Sequence, residues 1–147
     1  MGYRNVVVGT DGSETAQLAV RHAAHLAKAF GARLTIVTAY VPQPVGTVEA
    51  AEVPDDMLWR ITDSASADDR AESAQKVAKE IGVMDVRRRT SAGDPATAII
   101  EVAEDTGGDL IVVGSKGMSS PSRFVLGSVP NKVSHHTPCD VMIVHTA

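Results

Sequence analysis

The chain has 147 residues, is 44% hydrophobic and 22% charged, and carries 14 Lys and Arg against 18 Asp and Glu. That length suits one domain with a core large enough to need no staples. A net charge of −4 offers no general attraction to nucleic acid or to an anionic membrane, and the lone cysteine, Cys139, excludes an intramolecular disulfide and a cysteine-based zinc cluster. The longest apolar stretches, such as Leu110–Val113, fall far short of the roughly 20 residues a membrane-spanning helix needs. Met1-Gly2-Tyr3-Arg4-Asn5 leads into only three valines before Asp11, which is no secretory signal. Val6 stands where a myristoylation signal needs Ser or Thr, so a cytoplasmic protein is expected. With one Trp, two Tyr and two Phe, the chain lacks stacking platforms for single-stranded nucleic acid, and small aliphatic residues must fill the core.

Arg4–Gly9 contains the run Val6-Val7-Val8, the signature of a strand buried on both faces. Asp11-Gly12-Ser13 breaks it. Asp11 or Ser13 can cap the helix that follows, and Asp11 with Glu14 fits a capping box. Ala16, Val20, Ala23, Ala27 and Phe30 recur at helical spacing until Gly31 stops the helix. Arg33–Tyr40 reads as a second strand. Pro42 to Pro54 shows no clean period and is expected to be a surface loop. About Asp55 to Ile81 looks helical, with Thr62–Asp69 polar enough to fray or kink, and Gly82 ends it. Val86–Ser91 is expected to be a short peripheral strand. Asp94-Pro95 is a helix start, an N-cap residue followed by proline at the first helical position. Gly107-Gly108 terminates that helix, and Asp109–Gly114 is a second fully buried strand. Ser115–Leu126 reads as a loop of small residues, Gly127-Ser128 opens a last helix to about His136, and Val141–Val144 is the final strand. This alternation through five strands implies an α/β fold: one mostly parallel sheet with helices on both faces.

In such a sheet, ligands bind beyond the carboxyl ends of the strands where the strand order reverses. Two strands end alike, in Val8-Gly9 and Val113-Gly114, and the loops after them are therefore the candidates. The second reads Gly114-Ser115-Lys116-Gly117, then nine residues, then Gly127-Ser128. Gly114 and Gly117 allow a compact turn with unblocked N–H groups. Gly127-Ser128 lies at a helix N-terminus, where free donors and the helix dipole favour an anion. Together they make a cradle for a phosphate chain, or they merely shape a turn and cap a helix; the residues by themselves leave both readings open. A P-loop, a dinucleotide fingerprint and a nucleophile elbow are all absent. His135 and His136 diverge on one helix, and His22 and His25 have no evident third ligand, so all four read as surface residues. Cys139 reads as a buried small hydrophobe. Arg87-Arg88-Arg89 reads as a solvated basic run on a strand edge.

Gly-x-x-Gly, nine residues, Gly-Ser resembles the nucleotide-binding motif of the universal stress proteins. Val112-Val113-Gly114-Ser115, Leu126-Gly127-Ser128-Val129 and Thr137-Pro138-Cys139-Asp140-Val141 are also similar to that family's final third. Val6-Val7-Val8-Gly9-Thr10-Asp11-Gly12-Ser13-Glu14 is similar to its first strand and turn. The resemblance spans residues 1–147 as a single domain, with only Pro42–Asp69 uninformative. It implies a Rossmann-like (adenine nucleotide α-hydrolase-like) five-stranded parallel sheet in the order 3-2-1-4-5. It implies a homodimer through antiparallel pairing of the last strands, here Val141–Val144, which would cover an otherwise open edge. It also implies the ATP-binding branch, because the glycines and the serine are kept.

Carried over residue by residue, the resemblance places Thr10 and Asp11 beside the ribose and phosphates, with Asp11 holding a magnesium ion through water. Ala39 lines the adenine slot, and Val113 and Gly114 contact the ribose side. Gly117, Gly127, Ser128 and Val129 hold the phosphates. Two positions depart from the commoner pattern. Pro130 removes one N–H from the first turn of the last helix, and Lys116 adds a positive charge that either pairs with a phosphate or faces water. No residue is assigned a catalytic role: apart from Asp11, these loops supply no positioned acid or base. The expected function is a nucleotide-binding stress-response or regulatory dimer, not an enzyme, with at most slow ATP hydrolysis. The first alternative is binding of cyclic AMP, which relatives with a similar Gly-Ser-Val-Pro segment favour and which suits Pro130. The second is a slow ATPase or phosphatase. The third is an interaction module with an empty cleft.

Overall fold

Val6, Val7 and Val8 are wholly buried, so β1 (Asn5–Gly9) forms the centre of the sheet rather than an edge. The computed structural model of the protein describes residues 2–40, 64–115 and 128–145. On one side β1 pairs in parallel with β2 (Arg33–Tyr40), from Asn5↔Arg33 to Gly9↔Val37. On the other it pairs in parallel with β4 (Leu110–Gly114), Val6 lying opposite Leu110. β3 (Val86–Ala92) adds to β2, and β5 (Asp140–Val144) adds to β4, both parallel. The order β3-β2-β1-β4-β5 is the one expected.

Among the described residues four helices cover the two faces: α1 (Glu14–Phe30), α2 (Ser64–Ile81), α3 (Pro95–Thr106) and α4 (Ser128–His136). α1 and α2 bury Ala19, Ala23, Ala24, Ala27, Ala71, Ala74 and Ala78 against Val6, Val8, Leu34 and Ile36 on one face. On the other, α3 and α4 bring Ala96, Ile99, Val102 and Val133 against Val7, Val37, Ile111 and Val113. Alternate strand residues thus face opposite layers, and the alanines let the helices lie close on the sheet. Dispersion attraction falls steeply once atoms separate, so this close approach is what fills the core without aromatic residues.

The ends of the elements follow local chemistry. Ser13, not Asp11, is the N-cap of α1: its Oγ accepts from Ala16 N–H at 3.1 Å. Asp11 instead closes the preceding turn, its Oδ1 accepting from Ser13 N–H at 2.9 Å, so Asp11 and Glu14 form no capping box. Gly31 ends α1 with φ +64°, the left-handed conformation in which its N–H reaches back to Lys28 O. Asp94 caps α3 through Thr97 N–H, with Pro95 at the first helical position, as expected. α2 is regular from Ser64, so the polar stretch does not break the helix over 64–69. Ala67 and Ala71, both fully buried, hold that turn to the sheet side. The expected helix start near Asp55 and the loop from Pro42 to Pro54 lie outside the described residues.

β3 runs one residue further than expected, to Ala92, and is an edge strand. Its arginines are not simply solvated. Arg87 pairs with Asp85 at 2.8 Å, Arg88 with Asp68 of α2 at 2.9 Å, and Arg89 with Asp105 of α3 at 3.7 Å. Cys139 is half-buried rather than buried, at the rim of the α3/α4 layer.

Candidate functional site

β1 ends at Gly9, yet the sheet continues one residue further: Thr10 N–H donates to Val37 O at 3.0 Å. Thr10 is buried, and its Oγ1 accepts from Gly12 N–H at 3.1 Å. Gly12 sits at φ +82°, where a side chain would be strained. The N–H groups of Gly12 and Ser13 are therefore spent inside the turn, and that of Thr10 on β2. What the turn offers outward is the carboxylate of Asp11, exposed, with one oxygen committed to Ser13 and the other free among the described residues.

β4 ends at Gly114, and Ser115 N–H continues the ladder by donating to Val144 O at 2.7 Å. Val113 is buried and Gly114 half-buried. Ala39, near the end of β2, is half-buried and packs against the α3/α4 layer, as does Val129 of α4. Ser128 is the first residue of α4 and is exposed. α4 is fixed to the same end of the sheet by Lys132, whose Nζ donates to Asp94 Oδ2 at 3.0 Å and to Thr97 Oγ1 at 3.1 Å, just beyond β3. Burial works against the charge on Asp94, but the bonds from Lys132 and Thr97 outweigh it and hold the carboxyl below the usual carboxylate range.

Seven of the expected site residues are thus described. Thr10, Asp11, Ala39, Val113 and Gly114 meet at the carboxyl end of the sheet, and Ser128 and Val129 open the helix packed beside them. Lys116, Gly117 and Gly127 lie outside the described residues. Pro130 is buried in the first turn of α4, where a missing N–H breaks no helical bond. A single carboxylate with a free oxygen fits a magnesium ion that keeps most of its waters and takes phosphate oxygens for the rest. Among the described residues no group of three or more His, Cys, Asp or Glu could hold a metal by itself. His22, His25, His135 and His136 are exposed. Burial pushes the Cys139 thiol up, which disfavours the reactive thiolate.

Two features of this end were not legible beforehand. Arg70, from α2, lies across Gly12; its sequence position carries no hint of that, because the contact depends on how α2 docks. Thr38 Oγ1 is buried without a hydrogen-bond partner, on the α1/α2 side of β2. A separate cavity of about 480 Å³ opens at the opposite end of the sheet, lined by Arg4, Lys28, Arg33, Met84 and Asp85. There the glycine-capped ends of α1, α2 and α3 converge, and cations are what helix C-termini attract. Lys28 rests on Gly82 in that way, which gives the cluster a structural reading.

Comparison with known proteins gives one answer. The family model described as the universal stress protein family matches residues 2–145. Universal stress protein Rv1636 of Mycobacterium tuberculosis is 39% identical over 144 residues, covering 98% of this chain and 97% of that protein. A universal stress protein solved in complex with cAMP is 36% identical, with a TM-score of 0.77 and full coverage of both chains. The universal stress protein UspA from Lactobacillus plantarum is 28% identical, with a TM-score of 0.78 over 98% of this chain and 99% of its own. With the strand order also the one the resemblance implies, the chain belongs to the universal stress protein family.

Proposed function

We propose that the protein binds an adenine nucleotide at the carboxyl end of its sheet and acts as a regulatory dimer rather than as an enzyme. The observation that carries this is the meeting of Asp11, Ala39 and Gly114 with the start of α4, flanking the two-part glycine sequence Gly114–Ser128. In this reading Ala39 lines the adenine slot, and Val113 and Gly114 lie along the ribose. Gly117, Gly127, Ser128 and Val129, with Lys116, hold the phosphates of ATP, and Asp11 keeps a hydrated magnesium ion beside them. Two copies join through the β5 edge. Among the described residues no group at this end is placed as a general base against a nucleophile, so turnover of ATP is expected below roughly 1 per second, the low end of ordinary enzyme rates.

A second reading, cyclic AMP in place of ATP, has its own support. The relative of 36% identity was solved with cAMP, and Pro130 leaves one donor fewer at the start of α4. A cyclic monophosphate needs fewer donors than a triphosphate chain.

Thermal unfolding of nucleotide-stripped protein separates the readings. A ligand at 100 times its dissociation constant stabilises by about 2.7 kcal/mol, a rise of roughly 5–10 °C for a domain of this size. A rise with ATP that depends on magnesium supports the first reading, and a larger rise with cyclic AMP at equal concentration supports the second. Gly117→Arg should abolish either rise while leaving the unliganded midpoint in place. An unchanged rise in that variant removes the phosphate assignment.

A further inference from the structure

Arg70 is the one lysine or arginine among the described residues that is half-buried; all the others are exposed. Its stem is laid over the β1–α1 turn. A Cβ built on Gly12 would stand 3.1 Å from Arg70 Cγ, 3.0 Å from its Cδ and 3.4 Å from its Nε. Gly12 has no side chain, so the arginine rests directly on backbone, immediately beside Asp11. Packing along the stem fixes where the guanidinium can reach.

The charge has no partner. Arg33, Lys76, Arg87, Arg88, Arg89 and Lys132 each have a carboxylate within 4.0 Å. Arg70 has none, as is also true of Arg4, Arg21, Lys28 and Lys79, and no described residue hydrogen-bonds its guanidinium; it alone of these five is half-buried. The neighbouring carboxylate of Asp11 is turned to Ser13 N–H instead. The part of the side chain that the Gly12 backbone covers is the stem, which leaves the unpaired guanidinium available to an anion. Beside it lies the positive end of α1, capped by neutral Ser13. Two positive features therefore border the same turn, which suits an anion.

We propose that Arg70 is a binding residue of the nucleotide cleft: from the α2 flank its guanidinium takes a phosphate oxygen of the bound adenine nucleotide beside the β1–α1 turn. This rests on the nucleotide-binding reading above and extends it to an element outside the glycine motif.

Calorimetric titration of the full chain tests it, with adenosine, AMP, ATP and cyclic AMP run against wild type, Arg70→Met and Arg70→Lys. Methionine keeps most of the stem on Gly12 and removes the charge; lysine keeps stem and charge but not the planar fork. Arg70→Met should bind ATP and cyclic AMP about tenfold or more weakly, the scale of a lost charge-assisted bond, and adenosine within about twofold of wild type. Arg70→Lys should fall between. Equal losses for adenosine and ATP would mean that the arginine only packs, and they overturn the proposal, as does an unchanged ATP affinity. If Arg70→Met does not fold, Arg70→Lys decides alone: a several-fold loss confined to the phosphorylated ligands is expected, and wild-type affinity overturns it. A wild-type protein that binds none of the four removes the cleft reading itself, whereas a wild type that binds with indifferent variants removes only the role of Arg70.

Discussion

Asn5 shows how much one buried side chain can hold. Its Nδ2 donates to Thr106 O at 3.2 Å and to Thr106 Oγ1 at 3.0 Å, and its Oδ1 accepts from Thr35 Oγ1 at 3.0 Å. Its backbone N–H donates to Asp109 Oδ1 at 3.0 Å. One residue thus ties β1 to β2, to the end of α3 and to the turn before β4. Asn5→Ala would leave Thr35 Oγ1 without its acceptor, and a loss of about 2–4 kcal/mol in urea unfolding is expected. Thr38 predicts the opposite sign. Its buried hydroxyl has no partner among the described residues, so the near-isosteric Thr38→Val should stabilise by about 1 kcal/mol. Gly9 is fixed by contact rather than by its backbone angle. A Cβ there would overlap Ile99 Cδ1 and stand 3.0 Å from Cγ1. Ile99 is itself buried and cannot swing away, so Gly9→Ala should cost about 1–3 kcal/mol. Pairing it with Ile99→Val should recover part of the loss.

At the scale of elements, the Asp94 cap joins three pieces: the end of β3, the start of α3 and, through Lys132, the flank of α4. The fold lowers the pKa of Asp94 below its unfolded value. The stability it lends is therefore complete above the ordinary aspartate pKa of about 3.9 and is lost as pH falls through the lower folded value. The carboxylate is half exposed, so the charge itself contributes only about 0.5 kcal/mol. Asp94→Asn should flatten the acid limb of stability against pH by that amount, and NMR titration of Asp94 in the wild type should give a value below the ordinary one.

This cap was legible in the sequence because Asp94-Pro95 acts within four residues, and so were Gly31 and Gly107. The parallel sheet followed from the alternation of strands with alanine-rich helices, whereas its order 3-2-1-4-5 came from the family resemblance. The bonds of Asn5 were not legible, because they span about a hundred residues. Neither was Arg70, whose position depends on the docking of α2. Of the two caps the sequence allows for α1, Ser13 takes the role and Asp11 closes the turn before it, so the capping box of Asp11 with Glu14 does not form.

For the whole molecule, the sheet has two unlike edges. β3 presents Arg87, Arg88 and Arg89, paired with Asp85 of the preceding turn, Asp68 of α2 and Asp105 of α3. β5 presents Ile143, which is 36% exposed, while Val144 and Val141 pack inward and Val144 O binds Ser115. Deleting β5 would therefore damage both layers of the core as well as any interface. Ile143→Glu is the cleaner probe. If two copies meet along β5, the variant should weaken dimerisation at least tenfold in sedimentation while keeping the wild-type unfolding midpoint of a dilute sample. A dimer as tight as wild type would place the contact elsewhere.

The inequality of these edges sets how far growth by sheet addition can go. A molecule with two open edges can add neighbours head to tail without limit and make a fibre. Here the arginines leave only one edge receptive. If two copies join antiparallel along β5, as proposed, that edge is used on both partners at once and growth ends at two. Arg87→Val with Arg89→Val would remove the stop, turning a pairing that ends at two into one that propagates.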